Sequence, residues 1–437
     1  MVKKIEEFFW YVFLFVLPWQ TRIVIFQTDW YFNEYKAGFL YATDILLAIL
    51  LVFWLRRFHV RISRPQWWLI AFFLIGGLSI YQSSNVRLSS YQFLKLAEFL
   101  GLYFYIANYA WKRFELNKSL LAIITGGIFQ SIIAIIQFIR QSSLGLAFTG
   151  ESVFNNDYSG VAAFILESGD KIIRAYGTAP HPNVLAAYLL AVIFGFYVFY
   201  YRTSPGHPKI LLGAYSLLIF GLLVTFSRTV LAVWLVFSGF GLIWRIRKDR
   251  KKTVALMVTT IAAGIIFIAA FPSEVMSRIR ISRQDEAVTE RIYLNKETLR
   301  LKGEKTNWLG VGIGNFVPWL MDSAPGFNRM HYQPTHNIYL LMYAEIGILG
   351  LAAFIMFIFF TFKKAVKLLK GQASLEQFWV ILGVGAFLAI GLLDHFFWTL
   401  QQGRLLFWMA LGLMAASFAF QKNRIPLDIH EGRRSEN

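Results

Sequence analysis

The chain has 437 residues, of which 57% are hydrophobic and 18% aromatic, and its mean hydropathy is +0.51. A soluble protein of this length does not carry so much apolar side chain, so the composition indicates a polytopic membrane protein. Cysteine is absent, which excludes disulfides, zinc–thiolate sites, iron–sulfur clusters and cysteine nucleophiles. The formal charge of +18 does not indicate a nucleic-acid partner, because the basic residues fall between apolar runs instead of forming one patch.

The apolar runs predict about twelve transmembrane helices, since about 20 apolar residues cross a bilayer. They lie near 7–26, 39–55, 66–82, 91–110, 119–138, 183–201, 209–226, 229–245, 253–271, 337–361, 376–396 and 404–421. The first is interrupted by Pro18 and Arg22. The predicted fold class is therefore an all-α polytopic membrane protein, with one transmembrane domain at 1–421 and a polar tail at 422–437.

The loops between these helices alternate in charge, and every second loop is rich in lysine and arginine. The basic clusters are Lys3-Lys4, Arg56-Arg57 with Arg61 and Arg64, Lys112-Arg113, Arg202 with Lys209, "RIRKDRKK" (245–252), Lys363-Lys364 with Lys367 and Lys370, and Lys422 with Arg424. Because positive loops stay in the cytoplasm, this side is predicted to be cytoplasmic, together with both termini.

The opposite side holds two long extracytoplasmic connections, at about 139–182 and 272–336. Within the second, the stretch from about 286 to 302 alternates apolar and charged residues, a pattern typical of a short amphipathic helix at the membrane surface.

Most of the polar and ionisable residues near the predicted helix ends lie on one level, at the outer side. They are Asp44, Lys95, His181, Asn183, Arg228, His336, Asn337, Asp394, His395, Gln401, Gln402 and Arg404. Charged groups near hydrocarbon are costly and usually face a cavity or a partner, so this layer is a candidate functional site.

The cationic candidates each have two interpretations. The guanidinium of Arg228 suits phosphate oxygens, but an interfacial anchor that reaches the headgroups is an equally good explanation. Taken alone, Arg291 is explained as a solvated loop charge. Lys95 has Glu98 one turn further on, so a structural ion pair competes with ligand binding.

The stretch "HNIYLLMYAEIG" (336–347) begins one of the apolar runs. His336 is the best candidate for a general base, although a histidine at this place is otherwise an ordinary polar helix start. Asn337 is expected to cap the helix, and Glu345 to form a hydrogen bond inside the bundle. The related stretch "GTAPHPNVLAAYLL" (177–190) is interpreted as a helix start first and a site second.

Motifs for phosphate loops and metals are weak. "GVGIGNF" (310–316) lacks the strand and helix of a dinucleotide fold and predicts a tight turn next to the site. Asp394-His395 is too small to count as a metal site, and no Asp-x-Asp motif occurs. Neither a metal nor a cofactor is predicted.

Five motifs then occur in a familiar order: "GTAPHPNVLAAY", "SRTVLA", "ERIYLNKETLRL", "WLGVGIGNF" and "HNIYLLMYAEIGILGL". Together they resemble the O-antigen ligase and polymerase superfamily, the WaaL/Wzy-like membrane glycosyltransferases. The resemblance implies a GT-C-like fold in the bacterial cytoplasmic membrane. It also implies transfer of a glycan from an undecaprenyl-diphosphate carrier to an acceptor on the outer face, without metal or nucleotide sugar.

The resemblance also assigns roles to residues. Arg228 and Arg291 match the two arginines thought to hold the lipid pyrophosphate, and His336 matches the histidine proposed to activate the acceptor hydroxyl. Lys95 matches a further diphosphate-binding lysine more loosely. The other substrate-binding candidates come from the polar layer: His181, Asn183, Asn337, Asp394, His395 and Arg404.

Other functions remain open from the sequence. Within the same class, a polysaccharide polymerase or a protein O-oligosaccharyltransferase uses the same kind of donor. A polysaccharide transporter or lipid flippase is the rival from another class, but such folds usually have internal repeats and a site near the membrane midplane. Here no repeat is evident and the polar layer lies at the outer end.

Overall fold

The computed structural model describes residues 2–203, 207–280, 286–300, 308–325, 332–371 and 373–419. The predicted polar tail at 422–437 and the last two residues of the predicted domain lie outside these ranges.

The described part of the chain is mostly helical. Its helices are α1 Val2–Phe15, α2 Ala42–Leu55, α3 Arg64–Ser79, α4 Val86–Tyr105, α5 Trp111–Arg113, α6 Leu116–Arg140, α7 Pro182–Arg202, α8 Pro208–Leu223, α9 Arg228–Ile246, α10 Arg250–Ala270, α11 Pro272–Ile279, α12 Glu286–Arg300, α13 Phe316–Ser323, α14 Ile338–Lys370, α15 Leu375–Gly391, α16 Phe396–Thr399 and α17 Gln401–Ala419. A helix is thus confirmed within each predicted span, and α12 confirms the predicted helix in the second long loop.

Five helices of the described residues, α6, α7, α9, α10 and α14, are long and apolar enough to cross a membrane. Three further apolar helices, α2, α8 and α15, are shorter. The chain is therefore a membrane protein with apolar helices. The count of about twelve crossings stays a prediction.

The predicted first span at 7–26 is wrong in its second half. Helix α1 ends at Phe15, and Arg22–Gln27 forms a strand, β1, instead of continuing the helix. Pro18 has no N–H and cannot continue a helix, and the run that follows is rich in β-branched residues, which favour strands.

The mostly helical structure is consistent with the predicted all-α membrane protein, and the described residues also contain two small antiparallel sheets. Strand β1 pairs with β2, Ala37–Tyr41, and its Arg22 lies opposite Tyr41. In the first long loop, β3, Ala163–Ile165, pairs with β4, Lys171–Ile173. Both hairpins connect helices and shape the loops around the candidate site.

Helix α7 lies at the centre of the bundle. In its most apolar window 83% of the residues are buried, compared with 22% in the corresponding window of α10. The start of α7, with His181 as its N-cap and Pro182 in its first turn, is therefore held firmly in the middle of one face of the bundle.

Helix α14 contains a break at Gly347, whose φ of +71° favours glycine. A Cβ atom at this position would lie within 2.5 Å of the backbone of Trp308 and Leu309. The glycine-rich turn docks beside the break, where the Val311 N–H donates to the Ala344 carbonyl oxygen at 2.8 Å. "GVGIGNF" is thus confirmed as a tight turn, and it supports the first part of α14.

Candidate functional site

His336, Asp394 and His395 come together from distant parts of the chain. His336 lies two residues before α14, and the other two lie in the turn between α15 and α16. The ring centroids of His336 and His395 are 4.9 Å apart. The Nδ1 atom of His395 is 2.7 Å from the Thr399 hydroxyl, which orients the ring.

Asn183 connects this group to two other segments. Its Nδ2 donates to Asp394 Oδ2 at 2.7 Å, while its Oδ1 accepts from Arg174 Nη2 at 2.5 Å and from Ser227 Oγ at 2.9 Å. One buried amide therefore joins the turn after α15, the segment after β4 and the start of α9.

Two arginines hold the short turn between α8 and α9. Arg174 Nε donates to the Thr225 carbonyl oxygen at 2.8 Å, and Arg278 Nη2 donates to the next carbonyl oxygen, that of Phe226, at 3.3 Å. Phe226 has a φ of +47°, a strained conformation that is common at functional sites. The same turn ends at Arg228, the first residue of α9.

Arg291, on α12, faces the same cluster. Its charge acts on Arg174, His181, Asp394 and His395. Its Nε atom is buried and has no hydrogen-bond partner among the described residues. The interpretation of Arg291 as a solvated loop charge is therefore wrong.

The ionisation states follow from burial and from neighbouring charges. Burial first, and then the charge of Arg174, lower the pKa of His181 to about 3. Burial and then His336 lower the pKa of His395 to about 3 as well. Burial by itself raises the pKa of Asp394, but His395 and His336 lower it more, to below its usual value. At neutral pH, two uncharged imidazoles lie beside an ionised carboxylate.

Residues 213–355 match the family model described as O-antigen ligase. These residues are similar to an O-antigen ligase domain and are referred to by that name. The matched segment contains Arg228, Arg291 and His336, so the resemblance inferred from the motifs is confirmed. No curated protein sequence matches the chain.

The structure adds partners from outside the O-antigen ligase domain. Asn183, Asp394 and His395 all lie beyond the matched segment. Asp394 and His395 nevertheless lie beside His336, and Asn183 donates a hydrogen bond to Asp394. The site is thus built by the domain together with α7 and the turn after α15.

A metal could be held at this place by the group of His336, Asp394 and His395, whose potential ligand atoms all lie within 4.8 Å of one another. The interpretation of Asp394-His395 as too small a cluster is wrong, since His336 supplies a third potential ligand. Both carboxylate oxygens of Asp394 already accept hydrogen bonds, from Asn183 Nδ2 and from the His395 N–H. The absence of a metal stays a prediction.

Lys95 belongs to a different cluster. Its Nζ lies 2.7 Å from Asp44 Oδ2 and 2.8 Å from Glu98 Oε2. Because α4 begins at Val86, Lys95 lies near the middle of that helix instead of at its outer end. The ion pair between Lys95 and Glu98 is confirmed, and Asp44 completes it. The diphosphate-binding role of Lys95 stays a prediction.

Arg404 and Asn337 also have structural contacts. Arg404 Nε donates to the Trp398 carbonyl oxygen, and the indole N–H of Trp398 donates to Glu345 Oε2 at 2.7 Å. Asn337 caps α14 by accepting from two N–H groups of its first turn. The expectations for Asn337 as a cap and for Glu345 as a hydrogen-bonding group are confirmed. The substrate-binding roles of Arg404 and Asn337 stay predictions.

The sequence interpretation missed Arg174 and Arg278. Arg174 had a recognisable signal, because it stands in the apolar run "KIIRAYG" just before the motif at 177–190. Arg278 is one of several arginines in its loop, and nothing local distinguishes it.

Proposed function

We propose that this protein transfers a glycan from an undecaprenyl-diphosphate carrier to a hydroxyl of an acceptor, such as the lipid A core or another cell-surface molecule. The O-antigen ligase domain supports a glycosyltransferase of this kind. The observation that carries the proposal is the position of His336 next to Asp394 and His395, in the field of Arg291.

In this reaction His336 accepts the proton of the acceptor hydroxyl as its oxygen attacks the anomeric carbon. The new carbon–oxygen bond forms while the bond from the anomeric carbon to the diphosphate oxygen breaks, and the electron pair leaves with the lipid diphosphate. Arg228 and Arg291 stabilise the negative charge that develops on this leaving group. A single displacement inverts the anomeric carbon.

The surrounding residues orient these groups. Asp394 is fixed by Asn183 and faces both His336 and His395. His181, Asn183, Asp394 and His395 are proposed to contact the donor or acceptor sugar. Fixed guanidinium groups supply the positive charge that a metal would supply in other transferases, so we propose a metal-independent reaction.

The membrane arrangement belongs to the same proposal. The carrier keeps its lipid tail in the bilayer, which suits a site at helix ends and not at the midplane. We propose a GT-C-like bundle of about twelve spans in the bacterial cytoplasmic membrane, with both termini in the cytoplasm and the site on the outer face.

The test uses the purified full-length protein in nanodiscs, with an undecaprenyl-diphosphate glycan and candidate acceptors. His336→Ala is expected to reduce the transfer rate by about 10²–10⁴-fold. His207→Ala is the matched control, because His207 is exposed and directly precedes α8, away from the cluster. Full activity of His336→Ala would remove the proposed base, and loss of wild-type transfer in EDTA would contradict the metal-free reaction.

The same assay separates the related activities by acceptor. Transfer to lipid A core identifies a ligase, growth of the lipid-linked glycan identifies a polymerase, and transfer to protein identifies a protein O-oligosaccharyltransferase. Movement of a labelled lipid without any glycosyl transfer would favour a flippase.

A further inference from the structure

Two imidazoles and one carboxylate meet at the candidate site. His336, Asp394 and His395 each offer one ligand atom, and these atoms all lie within 4.8 Å of one another. Such a set of three protein ligands is typical of zinc sites that keep a fourth position for water or substrate. Magnesium and calcium prefer ligands that are all oxygen, so two imidazoles favour zinc or a similar transition metal.

Two of the three side chains are already oriented by hydrogen bonds of their own. The Thr399 hydroxyl donates to the His395 carbonyl oxygen at 3.3 Å, so its oxygen accepts from His395 Nδ1 at 2.7 Å. Nε2 of His395 then carries the lone pair that a metal needs. Asn183 Nδ2 donates to Asp394 Oδ2 at 2.7 Å, and each carboxylate oxygen accepts more than one bond. Contacts of this kind orient the ligands of metal sites.

A small movement of the side chains is enough to complete a coordination sphere. Ligands of a tetrahedral zinc lie about 3.3 Å from one another, because each bond to zinc is about 2 Å long. The three ligand atoms, within 4.8 Å of one another, reach this spacing by shifts of about 1 Å. All three residues lie in segments that connect helices, where such shifts are easier than inside a helix.

A metal and a proton compete for the same lone pair of His336. A neutral imidazole has one basic nitrogen, so a metal bound to it leaves no base for the acceptor hydroxyl. We propose, building on the glycan-transfer function above, that His336, Asp394 and His395 bind one zinc ion and that this ion inhibits transfer. Zinc is an inhibitor here and not a cofactor, so its removal leaves the reaction intact.

The neighbouring arginine charge opposes the binding of a cation. The charge of Arg291 acts on both Asp394 and His395. Removal of this charge should therefore tighten zinc binding, because one repulsion is lost. The expected effect on zinc has the opposite sign to the effect of the same substitution on glycan transfer.

The experiment titrates ZnCl₂ into the untagged, EDTA-treated full-length protein in nanodiscs, by isothermal titration calorimetry. One zinc ion is expected to bind per chain, and transfer is expected to fall by half at a free zinc concentration near the Kd. His395→Gln should bind zinc about a hundredfold more weakly, because a ligand is lost. Thr399→Val should bind it about tenfold more weakly and shift the inhibitory zinc concentration by the same factor. MgCl₂ should neither bind nor inhibit.

His207→Ala is the matched control, because His207 is exposed and directly precedes α8, and its zinc affinity should equal that of the wild type. Arg291→Ala should bind zinc about tenfold more tightly, which a misfolded protein would not do. Arg140→Ala is its control, because Arg140 is exposed at the end of α6.

Unchanged zinc binding in His395→Gln and Thr399→Val would assign the signal to an adventitious ion only and overturn the proposed site. Activation of transfer by zinc would overturn its inhibitory role.

Failure of this inference and failure of the proposed function are distinguishable. Zinc binding needs neither donor nor acceptor. Zinc that binds to the wild type but not to His395→Gln, in a protein that transfers no glycan, contradicts only the proposed function. Active transfer by a protein that zinc neither binds nor inhibits contradicts only the inference.

Discussion

Two buried clusters of ionisable side chains in this protein differ in how their charges are matched. In the first, Lys95 contacts the carboxylates of Asp44 and Glu98, so its positive charge is used within the bundle. In the second, the charges of Arg174 and Arg291 act on the carboxylate of Asp394, which also lies beside two histidines. The first arrangement joins α2 to α4, whereas we propose that the second binds the charged donor. Charge balance, more than burial, separates a structural cluster from a binding site.

Lys95→Met tests whether the cluster of Lys95, Asp44 and Glu98 stabilises the fold. Removing the cation leaves two buried carboxylates unmatched, and we expect a loss of about 3–5 kcal/mol in the free energy of unfolding. The measurement is thermal unfolding of the purified protein. Lys118→Met is the control, because Lys118 is exposed and pairs with Glu115 at the surface, and the melting temperature of this variant should not change.

If Lys95→Met instead keeps the wild-type melting temperature and raises the KM for the donor, the structural role of Lys95 is contradicted. Lys95 would then be the diphosphate-binding lysine that the family resemblance implies.

Arg291→Ala tests whether the cluster around Asp394 acts in glycan transfer. We expect transfer to fall by about a hundredfold, because one charged donor to the leaving group is lost. The melting temperature should stay at the wild-type value, since removing one of several mutually repelling charges costs little. Arg140→Ala serves as the control in the transfer assay. A clear drop in stability without loss of transfer would place Arg291 with the structural charges.

Asn183→Ala is expected to have a smaller effect on transfer, about tenfold, because it acts through the orientation of Asp394 and Arg174. Kinetics with varied donor and acceptor measure it. Loss of both contacts should lower kcat and raise the donor KM together. An unchanged donor KM would show that Asn183 does not help to place Arg174.

The pH dependence of stability gives the smallest effect. The pKa of His181 and of His395 is about 3 in the folded protein, below the ordinary value of 6.5. The unfolded chain therefore binds more protons between these values, and stability falls as the pH drops below 6.5. The charged groups around the two rings are Arg174, Arg291, His336 and Asp394.

When the pH falls by about one unit below the ordinary histidine pKa, we expect the free energy of unfolding to fall by about 1 kcal/mol for each of the two histidines. The melting temperature should fall with it. His395→Gln should flatten this slope. A melting temperature that rises on acidification would contradict the buried, neutral state of both rings.

The sequence predicted the parts of the fold and site that depend on local pattern. The apolar runs located a helix in each expected place, and His336 and Asn337 were recognisable because they precede such a run. The strand at Arg22–Gln27 was missed because its β-branched residues are also apolar and extend the preceding run.

Contacts between distant segments could not be predicted in the same way. The pairing of Lys95 with Asp44 joins two helices, and a single sequence contains no signal for their register. The same is true of Asn183 and Asp394, which are 211 residues apart along the chain. The contacts of Arg174 with Asn183 and Thr225 are likewise visible only in the structure.

The break in α14 at Gly347 has a mechanical consequence. The nine residues Ile338–Ile346 form a short rod whose far end is held by the glycine-rich turn, through the bond from the Val311 N–H to Ala344. His336 lies at the near end of that rod, on the other side of the break from the long remainder of the helix. We therefore expect His336 to keep its place beside Asp394 and His395 when the long remainder of the helix tilts in the membrane.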